Sequence, residues 1–365
     1  MIQKIPSLKI GHLTIHPPII QGGMGVRVSK SKLASAVANE GCAGVIASVG
    51  LGGYEHTHGG DSDVLGRLAL REEIRKARAM TRGVIGVNVM VALSDYESLV
   101  RICVEEKVDM IISGAGLPLQ LPAYTAGTNI QLVPIVSSAR SLSIICRKWL
   151  RDFNRYPDAV VVEGMNAGGH LGYSLKQIEQ NRPTLDEILA DVIEFAGKLP
   201  VSIPVIAAGG VFTGQDMAHY LKAGAAGVQM ATRFVCTDEC DVDRRFKQAY
   251  LDAKPTDITL IKSPVGLPGR VIRNAFVDRI QEGHRVPFRC KYHCLKTCDP
   301  STAPYCIAEV LAKASEGKLD ESFAFAGSSA WRCQEIVSVK RLIQTVMQEY
   351  EDSGVGSSFT SITSS

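Results

Sequence analysis

The chain is 365 residues long, 45% apolar and 21% charged, with a formal net charge of +3. That length and apolar share allow one large domain with a sizeable core, or one domain plus an elaboration. The weak charge, with no dense Lys/Arg run, argues against nucleic acid or an anionic membrane surface as partner, and no apolar run reaches the roughly 20 residues that span a bilayer.

The opening MIQKIPSLKIGHLTI has no signal-peptide core, so a cytoplasmic location is the default expectation. The first strand-like run, Pro18-Ile19-Ile20, ends in Gln21-Gly22-Gly23-Met24-Gly25. A helix-like stretch over 31–40 leads to a second run, Ala43 to Gly50. A polar loop with His56 and His58 precedes a charged helix over 64–80. Further strand-like runs follow at Gly83–Met90, ending near Asn88, then Asp109–Gly116, Leu132–Ser138, Ala159–Val162, Pro204–Val211 and Ala226–Val235, with helix-like segments between them. Thr213 is placed to cap the helix that ends at Lys222. Eight mostly apolar runs alternating with helices predict parallel strands covered on both faces, and eight of them predict a closed (β/α)8 TIM barrel. A doubly wound sheet is the competing architecture, but Gly22-Gly23-Met24-Gly25 fits the G-x-G-x-x-G spacing poorly.

The expected organisation is a barrel over 1–236, an irregular, Cys-containing insertion over 237–322 lying across the barrel mouth, and a return over 323–350 that supplies the last helix. Residues 351–365, rich in Ser, Gly and Thr, read as a disordered tail.

The stretch Asp158–Tyr173 concentrates the chemistry. A β-branched strand runs into Glu163-Gly164-Met165-Asn166-Ala167-Gly168-Gly169-His170. A Gly pair lets backbone approach a flat or anionic ligand, and the end of a parallel strand is where barrel chemistry sits. His170, titrating near neutrality in water, is the candidate acid/base group. Gly22-Gly23, Asn88, Ser137, Gly168-Gly169, Gly209-Gly210 and Gln229 to Thr232 add small and polar residues at other strand ends. Together they suit a flat, phosphorylated cofactor, with FMN the economical choice and the Gly209-Gly210 and Ala231-Thr232 turns as phosphate sites.

The motifs PIIQGGMG, GVNVMV, VPIVSS, VEGMNAGGHLGY, PVIAAGGV and GVQMATRF resemble the nitronate monooxygenase (2-nitropropane dioxygenase) flavoproteins and their relatives, the FMN-dependent enoyl-acyl-carrier-protein reductases. The likeness covers about 15–235 and resumes at VGLPGRVIRN and GSSAWR. It implies FMN contacts at Gly22, Gly23, Met24, Asn88, Ala167, Gly168, Gly169, Gly209, Gly210, Gln229, Met230 and Thr232, with Ser137 and Glu163 nearby and His170 facing the flavin. Ala231 stands where the family usually has Gly, which its backbone tolerates only at negative φ. The implied reaction takes a nitroalkane or nitronate, with O2, to a carbonyl compound and nitrite. The alternative is reduction of an enoyl thioester or quinone by NAD(P)H. A flavin-binding regulatory or structural protein without turnover is a third class. The partners are thus small molecules, and a homodimer is a candidate assembly.

With no secretory signal, the ten cysteines read as reduced thiols or metal ligands. Cys290, Cys294, Cys298 and Cys306 fall within 17 positions as Cys-x3-Cys-x3-Cys-x7-Cys, beside His293. That is neither the paired CxxC usual for zinc nor a standard ferredoxin spacing, so the four read either as packed thiols or as ligands of a metal or iron–sulfur cluster, and no metal ligand is assigned. Cys42, Cys103 and Cys146 read as core residues.

Overall fold

Eight short parallel strands close on themselves in this computed structural model, which describes residues 5–52, 61–290 and 293–354. In chain order the strands are β1 (Leu8–Ile10), β2 (Leu13–Ile15), β3 (Ile19–Gln21), β4 (Gly44–Ala47), β5 (Ile85–Met90), β6 (Met110–Gly114), β7 (Gln131–Val136), β8 (Val160–Glu163), β9 (Gly169–His170), β10 (Val205–Ala208), β11 (Gly227–Met230), β12 (Ile258–Lys262) and β13 (Pro268–Ile272). The barrel order is β3-β11-β10-β8-β7-β6-β5-β4. Its last seam, β3 to β4, is thin. Gln21 N donates to Ala43 O at 2.9 Å and Ala43 N to Ile19 O at 3.0 Å. The buried Gln21 side chain reinforces it by accepting from Val45 N at 3.0 Å.

The strands are apolar throughout because both faces are covered; every residue of β4 and β10 is buried. Ile20, Val45, Met110, Ile112, Val133, Val161 and Ile206 fill the barrel interior in one cluster with Leu8, Ile10, Leu13 and Ile15. The β1–β2 hairpin therefore packs into the same core as the barrel interior. Sequence reading missed it, since two three-residue strands give periodicity little to work on.

The surrounding helices form for local reasons. Ala139–Phe153 is capped by Ser138, whose hydroxyl accepts from Ser141 N, and ends on a left-handed Asn154 at φ 49°. Its Leu142, Ile145, Cys146 and Trp149 share the buried face. Thr213 caps Gly214–Lys222 in a capping box with Asp216, as expected. Cys42, Cys103 and Cys146 are buried in the core, also as expected. Among the described residues no helix is long and apolar enough to cross a membrane.

The segment after residue 236 holds more order than its composition announces. β12 and β13 form a hairpin, and β13 adds β9 as a third antiparallel strand. Helices Arg244–Asp252, Ala275–Gln281 and Ile307–Ser315 accompany it. A small separate core forms from Ile261, Val271, Phe276, Tyr305, Ile307, Val310 and Phe323. Helix Val339–Asp352 then returns to pack against Gly214–Lys222 and close the helical ring. The tail expectation for 355–365, and His56 and His58, lie outside the described residues.

Candidate active site

A cavity of about 300 Å3 opens at the C-terminal ends of the barrel strands. Gly22, Gly23, Met24, Asn88, Glu163, Ala167, Gly168, Gly169, His170, Gly209, Gly210, Gln229 and Thr232 all line it. Two expected contacts do not. Met230 follows Gln229 on β11, and successive strand side chains point to opposite faces. Its side chain therefore packs with the helix layer, and only its carbonyl serves the site's edge, accepting from Gly22 N at 2.8 Å. Ser137 lies beyond the end of β7, where the chain is already turning into the helix that Ser138 caps.

The glycines are needed for space. A Cβ on Gly23 would come within 2.4 Å of Asn88 Cβ, and one on Gly168 within 2.7 Å of Gly327 N. Gly209 sits at φ +85°, and a Cβ there would come within 2.5 Å of Gly164 O. The resulting backbone edges surround one polar atom that lacks a partner, the buried Gln229 Oε1. Bare main chain together with an unpartnered amide oxygen suits a flat ring with N–H groups at its edge, so the residues present fit a flavin.

The two turns expected to take a phosphate differ in what already occupies them. The N-terminus of Gly214–Lys222 already carries carboxylates. Asp216 accepts from Phe212 N and Thr213 N at 2.9 and 2.8 Å, and Glu349 accepts from Gly214 N at 2.8 Å. Ala231 has φ −129°, so its methyl is accommodated and the Ala231-Thr232 turn stays available.

His170 is held from several sides. Its main chain pairs with Gly269 of β13. Nε2 lies 2.7 Å from Ser263 Oγ, and the Phe325 ring meets the imidazole edge-on at 4.9 Å between centroids. Burial lowers its pKa to about 4, so the imidazole is neutral at physiological pH. The rest of the AGGH turn is braced by the buried Arg270, which donates to Met165 O and Ala167 O, the latter at 2.6 Å. Glu163 reaches the cavity from the end of β8, and desolvation raises its carboxyl to about 7. Both ionisable groups keep some surface toward the cavity while protein surrounds them on every other side.

The outer wall comes mostly from the segment expected across the barrel mouth, though no residue in it had been given a place in the site. Cys294, Leu295, Ile307, Ala308, Leu311 and Phe325 complete the cavity from the last third of the chain. Ser263 lies two residues before the VGLPGRVIRN motif, at a position to which the sequence assigned no role. Trp331 is 41% exposed and stands outside the lining.

A Gly-edged mouth on a (β/α)8 barrel, with one neutral imidazole in its wall, defines a flavin-type oxidoreductase site. The family model described as nitronate monooxygenase matches residues 6–99 and 92–349, and the chain belongs to that family. It is similar to the (3aS,4S,5R,7aS)-5-hydroxy-7a-methyl-1-oxo-octahydro-1H-indene-4-carboxyl-CoA dehydrogenase of Mycobacterium tuberculosis, 32% identical over 272 residues, 74% of this chain and 67% of that protein. The matching dehydrogenase of Rhodococcus jostii is 28% identical with 65% of its length covered, so the chain spans about two thirds of these relatives. A probable nitronate monooxygenase of Staphylococcus aureus is 28% identical over 308 residues, 74% of this chain and 79% of the other. Among solved structures, FabK from Thermotoga maritima superposes with a TM-score of 0.71 at 30% identity, covering 93% of this chain and 94% of its own. Nitroalkane oxidase from Streptomyces ansochromogenes shares the fold, with a TM-score of 0.72 at 22% identity over 93% and 97% of the two chains.

Proposed function

We propose that this chain is an FMN-dependent nitronate monooxygenase, oxidising a nitroalkane or its nitronate with O2 to a carbonyl compound and nitrite. The observation that carries the proposal is the neutral His170 imidazole, fixed by Ser263 and the β9–β13 pairing in the wall of a Gly-edged cavity. Gly22, Gly23, Met24 and Asn88 would lie along the cofactor's ring, with Gln229 Oε1 accepting from it. The Ala231-Thr232 turn would take its phosphate end, with Gly209-Gly210 giving the backbone room beside it.

FMN, when bound, supplies the redox chemistry. The chain supplies position and proton handling. A nitroalkane carries an acidic C–H next to the nitro group, and a neutral imidazole at the cavity wall removes that proton. Ser263 limits the ring's rotation, so the free nitrogen stays aimed at the substrate. The apolar outer wall, Leu295, Ile307, Leu311 and Phe325, keeps bulk water from the anion so formed.

The test is His170→Asn with FMN content measured alongside turnover. FMN stays bound, and activity on neutral nitroalkanes falls roughly 100-fold or more while preformed nitronates are much less affected. Equal loss on both substrates removes the base role.

A second reading has its own support. FabK at 30% identity over 93% of the chain, and the CoA dehydrogenase at 32%, favour a flavin-dependent redox step with NAD(P)H on an acyl thioester, His170 then donating a proton to the substrate. Anaerobic mixing with NADH or NADPH separates the readings: rapid bleaching of the flavin favours the reductase, and an unchanged spectrum favours the monooxygenase.

A further inference from the structure

Three separate stretches of chain contribute apolar residues to the cavity wall. Val26 and Val28 come from the loop after β3, Val49 from the loop after β4, and Ile307, Ala308 and Leu311 from the insertion helix Ile307–Ser315. Apolar contact is non-directional, so these side chains alone do not fix how the stretches stand to one another. One polar side chain does. Arg27, between the two valines, donates from Nε to Gly50 O at 3.0 Å, from Nη2 to Gly52 O at 2.7 Å and from Nη1 to Glu316 Oε1 at 3.2 Å.

The acceptors lie on the other two stretches. Gly50 follows Val49, and Gly52 packs so closely on the helix Asp61–Met80 that a Cβ there would come within 2.8 Å of Gly66 N. Glu316 is the C-cap of the insertion helix, and its other carboxylate oxygen accepts from Lys318 Nζ at 2.8 Å. A guanidinium is planar with its N–H directions fixed, so acceptors on three residues orient it and are oriented by it. The Arg27 and Glu316 side chains are only 18% and 31% exposed, which screens their attraction less than that of a surface pair.

The backbone beneath the guanidinium is unusual as well. Arg27 has φ 59°, a left-handed conformation that residues carrying a Cβ seldom adopt. Such a conformation persists where surrounding contacts hold it, and it gathers at functional sites. Val26 and Val28 line the cavity, while the Arg27 side chain leaves the lining and reaches the insertion.

We propose that Arg27 is a positioning residue of the active site: it clamps the helix Ile307–Ser315 to the loops after β3 and β4, and so sets how tightly the apolar wall closes on the substrate. Its effect on turnover rests on the monooxygenase reading; the clamp itself does not.

The test compares Arg27→Met, Arg27→Gly and Arg27→Lys in the full chain loaded with FMN. Arg27→Gly suits the left-handed backbone, so it separates loss of the clamp from a failure to fold. Hydrogen exchange supplies a readout independent of turnover. In Arg27→Met and Arg27→Gly the amides of Ile307–Ser315 exchange about tenfold faster or more, as expected from losing charge-assisted hydrogen bonds, while those of Ala139–Phe153 keep their wild-type rates. Arg27→Lys, which keeps the charge but not the fork, falls between. Iodide quenches the bound flavin more strongly in the first two variants. On a nitroalkane their KM rises about tenfold while kcat stays within about threefold. Unchanged exchange in Ile307–Ser315, equal acceleration in Ala139–Phe153, or an unchanged KM in a chain that turns over nitroalkanes overturns the proposal. Local acceleration with stronger quenching, in a protein whose wild type turns over no nitroalkane, upholds the clamp and sinks the monooxygenase reading instead.

Discussion

The barrel and the insertion are built on opposite principles. In the barrel, most neighbouring strands follow one another in sequence with helices between them, the exception being the β3–β11 pair, and both faces of the sheet are apolar. In the insertion, the three-stranded sheet takes its edge from residues 169–170 and its centre from 268–272, about a hundred positions away. Its core is small and centred on three rings: Phe276, Tyr305 and Phe323 pack at 5.9 to 6.1 Å between centroids. Local pattern is enough to build the first region. The second exists only as a tertiary object, and it is the second that holds His170 in place.

The strongest way to break the contrast is to empty the smaller core. Phe323→Ala removes a fully buried ring and costs about 3–5 kcal/mol. If the insertion folds with the barrel, calorimetry shows one transition at lower temperature; two separated transitions show that the regions melt independently. Next in size is Gly209→Ala on the barrel side. A Cβ 2.5 Å from Gly164 O at φ +85° costs about 1–3 kcal/mol. Because Gly209 lines the cavity, bound flavin, read from absorbance after gel filtration, falls more than the melting temperature does.

The smallest effect sharpens the comparison through pH. Glu163, on the barrel, is raised from 4.5 to about 7, while His170, on the shared sheet, is lowered from 6.5 to about 4. A raised carboxyl holds its proton in the folded state, so its contribution is complete below about pH 4.5 and is lost as pH climbs through about 7. A lowered imidazole acts the other way: its contribution is complete above about pH 6.5 and is lost as pH falls toward about 4. Glu163→Gln therefore flattens the loss of stability between about pH 5 and 8, by on the order of 1 kcal/mol once cavity water is allowed for. A melting-temperature series across that range checks it, and an unchanged slope shows that Glu163 stays ionised.

The barrel was legible because burial on both faces writes itself as continuous apolar runs such as Ala159-Val160-Val161-Val162. Residues just past those runs then fall at the mouth, which is why Gly22, Gly168 and Gly209 could be placed there. Met230 was misassigned although strand alternation contained the answer: with Gln229 facing in, its neighbour faces out. The β1–β2 hairpin was too short to announce itself. Ser263 and Phe325, which meet the imidazole, were invisible for a different reason. Their role depends on a strand pairing across about a hundred residues, and no window along the chain contains both partners.

The pairing of β9 with β13 sets an order of events during synthesis. A ribosome that has released only residues 1–236 has made all eight barrel strands, yet the proposed base hangs on a two-residue ribbon with no neighbour to hydrogen-bond. Arg270 and Ser263 emerge later and lock that ribbon. Residues 1–236 thus carry most of the cavity's glycines but neither partner of the imidazole, and the reactive centre is armed only when the late-made segment docks.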